Sequence, residues 1–234
     1  MAINTLQTLK DAITSWTKRS ELSSADLANM ISLFESRLNS GFSTRDGRFV
    51  KLRLAQMEAA AATGNTVAST ATVTLPSDWL ETRAFAVQIG GVWRDLEFQT
   101  LEQLPGQFVA NGPPMRYMIA NGAVNLGPTP DTAYPYTHYY YKKVAVIAGS
   151  SDTATTNTVL TAYPQLYLFG SCVEVARQAR DFDKLAIYQE TFEQILTEVS
   201  SADRAGRFPK APRMDFRTEV LGGYPFASIE SGFQ

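Results

Sequence analysis

The sequence predicts an α+β fold. Helices at the two ends form one four-helix unit, an antiparallel β-rich domain is inserted between them, and an extended C-terminal arm follows. Three observations carry this. Apolar residues recur at steps of three and four near both ends, alternate with period two through the middle, and lose both periods after residue 206. The predicted boundaries are 1–46 for the N-terminal helices, 47–150 for the β-rich insertion, 151–206 for the C-terminal helices and 207–234 for the arm.

In the first helix, over residues 4–18, Ile3, Leu6, Leu9, Ile13 and Trp16 share one face. Asn4 is placed to cap it, with Gln7 three residues on. Ser23 and Asp26 form a capping box for a second helix over 24–40, striped by Leu27, Ile31, Phe34 and Leu38. Gly41 suits a left-handed stop.

Residues 52–62 admit two readings. Their alanines, leucines and Met57 favour helix. The Thr- and Val-rich stretch 66–75 reads as a strand, and Gly64-Asn65 as a turn, which makes 52–62 the partner strand of a hairpin. The hairpin is the preferred reading.

From 82 to 147 the period is two. Phe85, Val87 and Ile89 lead to Gly90-Gly91, a tight-turn pair, and on to Val92-Trp93-Arg94-Asp95-Leu96. Met115, Tyr117 and Ile119 lead to Asn121-Gly122, a strong hairpin signal, then Val124 and Leu126. Residues 134–147 read as a long strand with Tyr134, Tyr136 and Tyr140 on one face and Tyr139 and Tyr141 on the other. Aromatics on both faces predict that both are covered.

Thr161 is placed to cap the third helix, with Pro164 in its first turn. Its two stripes are Leu166, Phe169, Val173 and Ala176, and Leu168, Cys172, Val175 and Ala179, so it should be buried on two sides. Gly170-Ser171-Cys172 is small enough to admit a close neighbour. Asp183 is placed to cap the fourth helix, which runs along Leu185, Tyr188, Phe192, Leu196 and Val199.

Composition narrows the function classes. Of 234 residues, 44% are hydrophobic and 19% charged, enough apolar content for a packed core. The net charge of −2 argues against a dedicated nucleic-acid binder. No apolar run approaches the ~18 residues of a membrane span, so no membrane partner is expected. The opening Met-Ala-Ile-Asn-Thr lacks the basic and apolar regions of a secretory signal. One cysteine cannot form an internal disulfide, which fits a reducing cytoplasm. One histidine and one cysteine do not make the common His/Cys zinc sites.

No candidate for catalysis survives scrutiny. His138 lacks a nucleophile elbow and reads as a hydrogen-bonded strand residue. Cys172, mid-helix among small and apolar residues, reads as core. Glu190, Glu193, Glu198 and Asp203 read as an acidic outer face of the fourth helix. The segments 106–114 and 121–130 lack phosphate-loop and dinucleotide fingerprints. The Tyr134–Tyr141 ladder could stack on bases or sugars, but Lys142 and Lys143 alone are too little charge for a phosphate track. No catalytic residue, cofactor or metal is expected. The arm is the informative exception: Phe208, Phe216, Tyr224, Phe226 and Phe233 lie among Pro209, Pro212 and Pro225. Such a segment cannot build its own core, so its aromatics call for a partner.

Leu75-Pro-Ser-Asp-Trp-Leu80, with Pro76, Asp78 and Trp79, resembles a motif of phage head-to-tail adaptor proteins, the tail tubular protein A and SU10-type adaptors. Gly112-Pro-Pro-Met-Arg-Tyr117, Leu126-Gly-Pro-Thr-Pro130 and Tyr139-Tyr-Tyr-Lys142 are similar to later elements of that family. Asn157-Thr-Val-Leu160 and Tyr163-Pro-Gln-Leu-Tyr-Leu-Phe-Gly170, with Tyr163 and Pro164, resemble its entry to the third helix. The likeness spans residues 4 to about 204.

The resemblance implies a virion structural role in the connector, synthesised in the host cytoplasm, with no enzymatic activity. It implies a homo-oligomeric, dodecameric ring under the portal protein that extends the DNA channel and docks a tail nozzle or tail-tube protein. Genomic DNA would pass without sequence-specific binding, and mild acidity suits such a passage. Arg207, Phe208, Pro209, Pro212, Phe216, Tyr224, Phe226 and Phe233 are the expected contacts with a portal or neighbouring subunit. The alternatives are a β-domain glycan-binding module, a nozzle-proximal tail protein, or an enzyme with a hidden carboxylate pair.

Overall fold

The computed structural model describes residues 2–100, 110–150 and 154–207. Among these, the helices are α1 (Leu6–Thr17), α2 (Ser24–Ser40), α3 (Thr158–Ala162), α4 (Pro164–Gln178) and α5 (Phe182–Arg207). Of the expected arm, only Arg207 falls among the described residues, as the last residue of α5.

α4 is the centre of the helical unit, and α1, α2 and α5 pack around it. It is buried almost all round, from Leu166, Tyr167 and Leu168 to Val173, Glu174, Val175 and Ala176. Phe34 of α2 lies directly over Gly170, in the space a Cβ would need. That ring also packs edge-on against Tyr167 at 5.1 Å and Phe192 at 6.0 Å. The small residue at 170 is therefore a packing requirement.

The caps follow the expected logic with local shifts. Ser23 and Asp26 form their box on α2. On α1 the cap is Thr5, not Asn4, because Thr5 and Thr8 bond each other's backbone N–H groups reciprocally. α3, a single helical turn capped by Asn157, precedes Pro164, so Asn157 replaces the expected Thr161. Asp181, not Asp183, starts α5: its carboxylate accepts from Lys184 N and its carbonyl from Leu185 N. Gly41 has φ +121° and ψ 166°, outside the left-handed helical well. The Phe49 ring lies 2.5 Å from where its Cβ would be. Trp16 is half exposed; its ring packs edge-on against Phe169 at 5.0 Å and its carbonyl accepts from Tyr188 OH at 3.1 Å.

The strands begin with a short pair, β1 (Phe42–Ser43) and β2 (Phe49–Val50). Two four-stranded sheets follow. The first has the order β3 (Ala62–Asn65), β10 (Pro135–Lys142), β5 (Trp79–Ile89), β6 (Val92–Asp95). The second has the order β4 (Thr72–Thr74), β9 (Ala123–Gly127), β8 (Arg116–Ala120), β7 (Glu97–Phe98). All pairings are antiparallel except β7 with β8. Gly90-Gly91 and Asn121-Gly122 turn two hairpins, all four residues with φ between 53° and 80°. The sheets enclose a second core of Phe85, Val87, Leu96, Tyr117, Val124 and Leu126.

The expected hairpin over 52–75 is not formed. Leu52, Leu54 and Met57 are buried in the helical core, with a 3-10 turn at Ala55–Met57. Gly64 and Asn65 sit in β3, paired with β10, and residues 72–74 join the other sheet. Gly64 is in the strand because the Tyr136 hydroxyl and ring lie 2.7 to 2.9 Å from where a Cβ would be. The expected strand over 134–147 ends at Lys142, and Val144, Ile147 and Ala148 join the helical core.

Gly170→Ala should lower stability by on the order of 2 kcal/mol despite the gain in helix propensity, because Phe34 must move. Urea unfolding measures this. Phe34→Leu in the same chain should recover part of the loss, giving a favourable coupling energy.

Candidate functional site

Two polar clusters stand where the helical unit meets the sheets. The first holds the chain on its return from the β-region. Glu35 and Asn39, one turn apart on α2, accept from the backbone N–H groups of Ile147 (3.0 Å) and Val144 (2.9 Å). Tyr167 donates to Glu35 at 3.4 Å and accepts from Asn157. Asn157 also donates to the Ala145 carbonyl and caps α3 through Leu160 N. Burial holds the Glu35 carboxyl above its ordinary range, opposed by the N–H groups of Ile147 and Ala148. Burial likewise pushes the Tyr167 hydroxyl up.

The second cluster surrounds Arg207, the point from which the arm departs. Its guanidinium donates to Tyr141 OH at 2.7 Å and to the Arg53 carbonyl at 2.8 Å. It pairs with Glu58 at 3.0 Å and with Asp203 at 2.8 Å. Arg207 and Arg83 each stand over the Tyr141 ring, at 5.6 and 5.5 Å. Arg83 shares Glu58, and Arg53 pairs with Glu81. Asp203 also accepts from Ala55 N at 2.7 Å. The end of α5 is thus bound to residues 53–58 and to β10. Arg207, expected to contact another subunit, is occupied within its own chain. The other expected contacts, Phe208, Pro209, Pro212, Phe216, Tyr224, Phe226 and Phe233, lie outside the described residues.

The remaining marked residues are structural supports. Pro76 accepts from Trp79 N in a turn. Asp78 accepts from Tyr140 OH at 3.0 Å, and its carbonyl from Lys143 N. Trp79 Nε1 donates to Thr82, whose hydroxyl lies 2.9 Å from His138 Nε2. Tyr163 ends α3 and Pro164 opens α4. His138 is 2% exposed, between Phe85 and Tyr140, and burial lowers its pKa to about 4. A neutral ring can accept from Thr82, which itself receives Trp79 Nε1–H.

Cys172 is fully buried and its thiol is pushed up to about 12, the opposite of an activated nucleophile. Glu193 and Asp203 were expected on an outer acidic face. They bind instead the Arg45 and Ala55 N–H groups, tying α5 to residues 45–55. Buried Glu174 pairs with Arg37 at 3.0 Å and Arg177 at 3.2 Å. Burial raises its pKa, opposed by Arg37. Of the tyrosines in β10, only Tyr139 is exposed, so the strand offers no stacking ladder for sugars. Among the described residues no three His, Cys, Asp or Glu side chains converge as metal ligands, and no helix is long and apolar enough to cross a membrane.

Pattern reading missed the partners of Arg207 because Arg53, Glu58 and Asp203 are far apart in sequence. Glu35 had a signal: it stands four residues after buried Ile31 and next to buried Phe34.

Two measurements test these arrangements. Arg207→Ala should destabilise the chain by on the order of 2 kcal/mol in urea, and Arg207→Lys should not restore it, since an ammonium lacks the planar fork. His138 makes stability depend on acid. Unfolded chains bind its proton near pH 6.5, the folded protein only near 4. Stability therefore falls as pH drops through that window and levels off below it, by on the order of 3 kcal/mol in all. His138→Gln removes this dependence. Glu35 and Glu174 titrate in both chains and cancel in the difference between the two urea series.

Comparison with curated proteins gives no match. Comparison with family models gives one family, described as SU10 adaptor protein, over residues 4–213. That span includes all five helices, both sheets and both polar clusters. The chain belongs to the SU10 adaptor protein family, a family of phage structural adaptors.

Proposed function

We propose that this adaptor forms a dodecameric ring between the portal and the tail of the phage particle. The family match over 4–213 carries the reading. The geometry supports it in two ways. Of the ionisable groups perturbed by burial, Glu35, Glu174 and His138 hold elements together, and Cys172 is packed in the helical core. The end of α5 is fixed, so the residues after it start from a defined point.

In this reading the helical unit, from 1–46 and 151–206, contacts neighbours and the portal. The insertion, residues 47–150, faces the tail nozzle or tail tube. Residues 208–234 clamp a neighbour or the portal, with Phe208, Phe216, Tyr224, Phe226 and Phe233 as anchors. DNA passes through the ring, and the net charge of −2 leaves little to retain its phosphates. The protein is made in the host cytoplasm and ends in the virion.

Negative-stain imaging of the chain mixed with its portal should show a closed ring seated on it. A chain ending at Arg207 keeps the cluster intact. It should fold with an unchanged melting temperature and fail to seat on portals. Seating at the full-length level would remove the arm from the mechanism.

A further inference from the structure

The first sheet has one face covered and one face only partly so. Register identifies the residues. Thr63, Thr137, Ala86 and Asp95 stand opposite one another across all four strands. Tyr139 pairs with Ala84, Gln88 with Trp93, and Asn65 with Pro135. These residues lie on the side away from the sandwich core, which takes Phe85, Val87 and Tyr136. In this set only Asp95 carries a charge. Tyr139 is 47% exposed and Trp93 50%. Sheet faces in water ordinarily carry polar and charged side chains.

The same face is covered at its other end. Tyr141, two residues along β10 from Tyr139, is buried under Arg207 and Arg83. Thus α5 ends on this face, at the border between its covered and uncovered parts. The uncovered part extends about 14 Å along β10 and about 14 Å across four strands. The 27 residues after Arg207 could span several times that distance if extended. They include five aromatics, three basic and three acidic side chains, so they bring apolar anchors and no net charge to a nearly uncharged surface.

We propose that residues 208–234 pack over this outer face of their own chain, with aromatic anchors between Tyr139 and Trp93. The arm so placed supplies the cover that aromatics on both faces of β10 called for. This goes beyond the ring reading and concerns the free subunit. Its test contains no portal, so its failure is distinct from a failure to assemble.

The test uses the full chain at nanomolar and micromolar concentrations. Trypsin cuts the arm after Lys210, Arg213 and Arg217, and mass spectrometry follows the products. The wild-type arm should be cut slowly at both concentrations. In Trp93→Glu/Tyr139→Glu it should be cut faster by on the order of tenfold, with the melting temperature unchanged. Equal cleavage of the two chains overturns the proposal. Protection that fades on dilution also overturns it, since a second copy is then the occupant. Acrylamide quenching of wild type minus Trp93→Phe isolates Trp93 emission without the double variant. Slower quenching than in the chain ending at Arg207 supports the cover, and equal quenching overturns it.

Discussion

The molecule depends on one joint. The chain leaves the helical unit after α2, builds two sheets, and must re-enter the same unit at α3. A polypeptide crossing between two cores carries backbone N–H groups into apolar surroundings, where each needs a partner. α2 supplies two of these partners. Glu35 and Asn39 face one way because they are one turn apart, and they receive Ile147 and Val144. Tyr167 and Asn157 then tie the same carboxylate to α4 and to the cap of α3. Burying a carboxylate is costly, and an apolar joint could be as stable. An apolar joint would not fix which N–H meets which acceptor. We read the buried Glu35 as setting the register of re-entry.

The second cluster repeats this logic at the surface. Arg207 is the last residue of a 26-residue helix, where fraying is the norm. Four partners on three segments hold it instead. A fixed helix end adds to the stability of a helical unit whose core lies around α4. It also matters for the direction in which the following residues leave. The planar guanidinium suits this task, since it can donate in several directions while covering an aromatic face.

Much of this was legible in the sequence, and the pattern of failures is physical. The periods of three to four and of two located the helices and both glycine-turned hairpins, because amphipathic burial imposes them directly. The 52–75 segment misled because its local signals were real but incomplete. Leu52, Leu54 and Met57 are apolar to enter the helical core, not to pair with 66–75. Gly64 is there for the Tyr136 ring, not for a turn. Both reasons involve residues distant in sequence. The same limit hides Glu58 and Asp203 as partners of Arg207, whereas Glu35, a charge embedded in an apolar stripe, is readable from the pattern.

A tethered arm and an uncovered face on one chain have a further consequence. A segment anchored at the border of its docking surface meets that surface at millimolar effective concentration. Contacts too weak to hold a separate peptide then suffice, and contacts that weak are readily exchanged. Copies brought together around an axis would present the same face to the same arm at similar concentration. Exchange of the arm between copies would replace like contacts with like, so it costs little, and closure of the ring would decide the direction. A strongly bound arm would defeat this, because its release would oppose assembly. The chemistry of the face agrees with the weaker alternative: threonines, alanines, one glutamine, one asparagine, one proline and two separated aromatics provide area, with Asp95 as the one charge of the set.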